Sequence, residues 1–287
     1  MHTTLISPQQ TSEFFKNSEV LPLVILDTRF SLAEPERGRR AFAEAHLPGA
    51  QYAHLDQDLS GPVISGVTGR HPLPDIAVFA EKLGQWGVTD GVQVVAYDDA
   101  GGAIAARLWW LLRWLGHDAV AVLDGGWQAW VAGQYPVSSE KCSAKPKIFK
   151  PRPRPEMLVD ASQILAMRNE ERLLDSRSPD RFRGENETLD PVGGHIPGAA
   201  TAFFGDTATP AGTSRSPEEL RSYFQAILGS ARPENAIFYC GSGVTACRNI
   251  LAMEHAGLTG AKLYAGSWSE WITDAGRPVV CPGATHF

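Results

Sequence analysis

AIFYCGSGVTACRNILAMEHAG, residues 236–257, decides how the chain is to be read. A continuous apolar run ends at Cys240, as expected of a strand buried on both faces of a parallel sheet. Gly241 and Gly243 then break the run, and an apolar-periodic stretch continues to a glycine stop at Gly257, the pattern of a helix with a C-terminal glycine. Strand, glycine turn and helix place Cys240 at the carboxyl end of a strand, where open parallel sheets bind their ligands. Two glycines within four residues let successive N–H groups turn inward, and the helix N-terminus adds partial positive charge. Both effects favour a thiolate and would equally stabilise an anion bonded to its sulfur, so Cys240 is expected to be reactive. The alternative is an inert, packed cysteine.

Working outward, the same grammar occurs twice. LDTR (26–29) returns as LDSR (174–177), AHLPGA (45–50) as GHIPGA (194–199), VVAYD (94–98) as IFYC (237–240), and DGGWQAW (124–130) as AGSWSEW (265–271). Four pairs in the same order mean two copies of one domain. Asp98 stands opposite Cys240, so only the second copy carries the nucleophile. Each half reads as strands alternating with helices, which predicts an α/β fold with a parallel sheet flanked by helices on both faces. The expected domains are 1–135 and 158–287. Between them, PVSSEKCSAKPKIFKPRPRPEM (136–157) is rich in Pro and Lys without apolar period and reads as an extended linker.

Composition narrows the function classes. A length of 287 residues suits two domains of ordinary size, and 43% hydrophobic with 20% charged residues is ordinary for a soluble protein. The net charge of −6 gives no general affinity for nucleic acid or anionic membrane, so any anion site must be local. LWWLLRWL (108–115) is too short to span a bilayer and contains Arg113. The N-terminus lacks a basic region followed by an apolar one, and the four cysteines form no C-x-x-C pair; a reduced, cytoplasmic setting with free thiols and no metal or cofactor is expected. A Walker A loop is excluded because no G-K-[ST] follows. A cysteine phosphatase needs an arginine six positions after the cysteine; Ala246 stands there and the first arginine is Arg248.

The chain resembles the tandem rhodanese-domain sulfurtransferases over nearly its whole length, on HLPGA and HIPGA, on the strand–Cys–loop–helix unit, and on GGWQAW and GSWSEW. Its loop CGSGVT is similar to that of the members acting on 3-mercaptopyruvate. Thiosulfate-preferring members carry basic residues where Gly241 and Ser242 stand. The resemblance implies two tandem rhodanese-like domains and a two-step reaction: Cys240 takes sulfur from a small-molecule donor, 3-mercaptopyruvate, releasing pyruvate. The persulfide then passes its outer sulfur to a thiol, a thioredoxin-like protein or cyanide. A thiosulfate sulfurtransferase and a non-catalytic binding or redox-sensing module are the competing readings.

The resemblance also assigns residues. Arg177 falls where relatives bind substrate, with Asp175 as a competing ion-pair partner and Arg29 as its duplicate; Arg181 and Arg183 are further candidates. Gly241, Gly243, Val244 and Thr245 would surround the persulfide and substrate. Ser242, His71 and Asp56 would form a proton relay across the domain interface, with a surface role as the alternative for His71. His46 and His195 occur in both copies and are expected to order their loops. Cys247 is expected to pack on its helix, and Ala265 departs from Asp124 in the first copy.

Overall fold

The computed structural model describes residues 1–16 and 22–281; positions 282–287 of the expected second domain lie outside them. The chain forms two compact units, each with its own parallel sheet. In the first unit the strands are β1 (Leu5–Ile6), β2 (Leu23–Asp27), β3 (Gln51–Tyr52), β4 (Gln93–Tyr97) and β5 (Val120–Leu123), in the order β1-β5-β4-β2-β3. In the second they are β6 (Leu158–Val159), β7 (Arg172–Asp175), β8 (Ala200–Thr201), β9 (Ala236–Tyr239) and β10 (Lys262–Tyr264), in the order β6-β10-β9-β7-β8. The two orders are the same, and so is the register: Asp27 pairs with Tyr97 and Asp175 with Tyr239. The duplication read from the motifs is a duplication of topology.

Central strands β4 and β9 are buried along their whole length, as their unbroken apolar runs require. The helix Ala105–Trp114 is buried on nearly every side, and it follows β4 as the helix Ala246–His255 follows β9. Both sheets are flanked by such helices, and tryptophans from the repeated motif fill the space beneath. Trp130 donates to the Pro136 carbonyl at 2.8 Å and Trp271 to that of Pro278 at 2.9 Å. Each ring thus buries its area while its N–H keeps a partner.

The units do not follow the chain strictly. Unit one comprises 1–61, 73–155 and 208–214; unit two comprises 62–72, 156–207 and 215–287. The short segment 62–72, and with it His71, therefore belongs to the unit that contains Cys240. The stretch expected as a linker is strapped to the first unit over most of its length. Lys147 N–H donates to Gly84 at 2.8 Å, Arg152 N–H to Leu115 at 2.9 Å, and Arg154 grips Asp118 through two 2.7 Å bonds.

The repeated LDxR and H-x-P-G-A motifs explain one another. In the first unit Arg29 binds Asp27 at 2.6 Å, donates to the Ala45 carbonyl at 2.7 Å and lies 4.4 Å from the Trp127 ring centre. In the second, Arg177 binds Asp175 at 2.6 Å, donates to the Gly194 carbonyl at 2.6 Å and lies 4.8 Å from the Trp268 ring centre. His46 and His195 stack on Phe42 and Phe182 and share their Nδ1 with the carbonyl of the same phenylalanine at 2.7 and 2.8 Å. These are loop-ordering contacts, as expected for histidines kept in both copies.

Candidate active site

β9 delivers Cys240 to the base of a tight turn, where the residue is buried. Its Sγ accepts the Gly243 N–H at 3.1 Å. Its backbone is held from both sides: Cys240 N–H donates to Ser267 Oγ at 3.1 Å, and the Cys240 carbonyl accepts from Trp268 N–H at 3.0 Å. The turn needs glycine at 243, where φ is +75° and a Cβ would come within 2.3 Å of the Ala265 carbonyl oxygen. Val244 and Thr245 complete the turn, with Val244 buried, and the helix Ala246–His255 begins directly after.

Ser242 points at His71: Oγ and Nδ1 are 2.7 Å apart, and both residues are buried. The hydroxyl and the imidazole thus form a couple one residue beyond the nucleophile's neighbour in sequence, suited to proton movement. Asp56, the expected third member, is exposed in the first unit, where its N–H donates to His54 Nδ1 at 3.1 Å.

The arginines divide by environment. Arg177 is buried, and besides Asp175 and Gly194 it meets Glu187 at 3.3 Å. Arg183 is exposed and paired with the exposed Glu185 at 2.7 Å. Arg181 is partly exposed, with Glu187 at 2.8 Å and Asp190 at 3.3 Å. Its guanidinium reaches the cysteine turn: a Cβ at Gly241 would lie 3.6 Å from both of its terminal nitrogens. The same Cβ would lie 2.8 Å from Nη2 of Arg70, which the sequence did not single out. Arg70 pairs through Nη1 with Asp190, its N–H donates to Ser269 Oγ at 3.1 Å, and its buried Nε has no acceptor among the described residues. Burial pushes the Asp190 carboxyl above its ordinary pKa, against the pull of Arg70 and Arg181.

Sequence reasoning missed Arg70 and Ser267. Arg70 finds its acid 120 positions away in the chain. Ser267 adopts φ +55°, as Gly126 does in the first copy, and there its hydroxyl accepts from Cys240 and donates to the Tyr264 carbonyl at 2.9 Å. The alignment of GSW with GGW carried that signal. Cys247 packs as expected, buried on its helix with Sγ 3.3 Å from the Gly243 carbonyl.

Against known proteins, the family model described as the rhodanese-like domain matches residues 7–133 and 160–274. A Pseudomonas aeruginosa protein named "Probable 3-mercaptopyruvate sulfurtransferase" is 50% identical over 260 residues, 90% of this chain and 92% of that one. The thiosulfate sulfurtransferase of Rattus norvegicus is 33% identical over 286 residues, covering 96% and 94%. The solved structure of the 3-mercaptopyruvate sulfurtransferase from Leishmania major superposes with a TM-score of 0.82 at 32% identity, covering 94% of this chain and 74% of that one.

Proposed function

Because the chain belongs to the rhodanese-like domain family, we propose that it is a sulfurtransferase that takes sulfur from 3-mercaptopyruvate onto Cys240 and passes it to a thiol acceptor. The observation that carries the reading is the cysteine turn: a sulfur at a strand end, already accepting one amide and flanked by the Ser242–His71 couple.

The Cys240 thiolate attacks the donor's sulfur. A new S–S bond forms, the donor's C–S bond breaks, and its electron pair passes to carbon as the pyruvate enolate. The donor's thiol proton leaves and a proton reaches the enolate carbon, so the products are pyruvate and a persulfide anion. The Ser242–His71 couple suits that proton traffic, and Asp56 is retained as the candidate third member. Amides of Gly241, Gly243, Val244 and Thr245 surround the outer sulfur and favour its negative charge. An acceptor thiolate, small or on a thioredoxin-like protein, then attacks the outer sulfur and restores Cys240. Arg181, with Arg70, is the carboxylate anchor. Arg177 acts as a structural ion pair, because its geometry repeats that of Arg29 in the copy without a nucleophile. Arg183, exposed and paired with Glu185, is the weakest of the three arginine candidates.

Four free cysteines, two of them exposed, suit a reducing cytoplasmic setting. Among the described residues no helix is long and apolar enough to cross a membrane. Identity to a thiosulfate sulfurtransferase favours thiosulfate as the second donor to consider. Mass spectrometry after incubation with 3-mercaptopyruvate tests the proposal: one added sulfur on the Cys240 peptide with equimolar pyruvate is expected. An unmodified peptide, or faster turnover of thiosulfate per KM, overturns it.

A further inference from the structure

Three pairs of opposite charge sit behind the cysteine turn, and one carboxylate serves both arginines that reach it. Asp190 meets Arg70 through one oxygen and Arg181 through the other, at 3.3 Å for the latter. Arg70, Arg181 and Arg177 against Asp190, Glu187 and Asp175 sum to zero, and the three acids are almost fully buried. A donor anchored on Arg70 and Arg181 therefore meets a site already neutralised, in which Arg70 Nε has no acceptor among the described residues.

Resting on the proposed sulfurtransferase reading, we infer that Asp190 is a positioning residue that sets donor specificity through Arg70 and Arg181, admitting a monoanionic carboxylate and disfavouring a dianion. The physical cause is charge balance. A 3-mercaptopyruvate carboxylate brings one negative charge to the two guanidinium groups, and thiosulfate brings two. Because the cluster with Asp190 is already neutral, a monoanion leaves one charge uncompensated and a dianion leaves two, and a partly buried site screens the second far less than water does. Asp190 also holds the Arg70 guanidinium through Nη1, which leaves Nη2 to meet an anion near Gly241.

The test compares Asp190→Asn, Asp190→Glu and the unaltered protein, each with 3-mercaptopyruvate and with thiosulfate, cyanide being the acceptor. For Asp190→Asn the ratio of kcat/KM for thiosulfate to that for 3-mercaptopyruvate should rise roughly tenfold, through a lower KM for thiosulfate at little changed kcat. Asp190→Glu should keep the original ratio. Arg70→Met should lower kcat/KM for both donors, and for thiosulfate more. A merely structural Asp190 would lower kcat for both donors by one factor and leave the ratio fixed, and that result overturns the inference. Should Asp190→Asn not fold, an unchanged ratio in Arg70→Met overturns it and a lowered one supports it. Failure of the functional reading looks different: the unaltered protein would then release no pyruvate.

Discussion

The loops that follow β4 and β9 occupy the same place in the two units and hold opposite kinds of group. In the first, the Asp98 carboxylate is completely buried and accepts four amides, from Ala100, Gly102, Ile104 and Ala105, each at 2.8 Å. In the second, Cys240 Sγ accepts from Gly243 at 3.1 Å. A carboxylate oxygen lies two bonds from Cβ, and so does the outer sulfur of a cysteine persulfide. The Asp98 carboxylate thus has about the reach that Cys240 would acquire on taking up one sulfur atom. The first loop's amides hold its own carboxylate; the proposed persulfide would draw on those of the second. The second loop is also one residue shorter, with the helix beginning at Ala246 rather than at the position matching Ala105.

The pair suggests its own substitutions. Cys240→Asp puts the carboxylate of the first loop into the second. Sulfur transfer should fall by roughly four orders of magnitude or more, while the protein stays folded by circular dichroism; measurable turnover would place the nucleophile elsewhere. Asp98→Ala strips four buried amides of their acceptor. It should cost about 4 kcal/mol and lower Tm by about 10 °C in a thermal melt, and an unchanged Tm would deny the loop its structural charge. Arg29→Met and Arg177→Met each leave a buried aspartate unpaired, at about 3 kcal/mol. Matched losses in denaturant titration confirm equal roles, whereas a stable Arg177→Met protein with a raised KM would return Arg177 to the donor site. His71→Asn should lower kcat roughly a hundredfold with alkylation of Cys240 unchanged; loss of both would mean that His71 only supports the turn.

Much of this was legible in the chain. The duplicated motifs predict the same parallel α/β unit twice, because apolar runs and glycine stops are local signals; the strand order came from the structure. Cys240, Ser242 and the glycines declare their turn for the same reason. Arg177 was read toward substrate, although its twin Arg29 in LDTR already argued for an ion pair within each copy; a residue shared with the copy that lacks a nucleophile is poor evidence for a role in chemistry. Arg70 carried no local signal at all. Its meaning lies in Asp190 and Gly241, far along the chain, and in the exchange that places 62–72 with the second unit. Ser267 was legible only through its alignment with Gly126, since a serine by itself gives no local sign of positive φ.

A crystal structure of the protein after exposure to 3-mercaptopyruvate tests most directly whether the second loop is an anion cradle left open for a persulfide. The outer sulfur on Cys240 should lie within hydrogen-bond distance of several backbone N–H groups between residues 241 and 245, superposing on a carboxylate oxygen of Asp98 when the two units are overlaid. An outer sulfur turned away from those amides, or carried on another residue, would contradict the account.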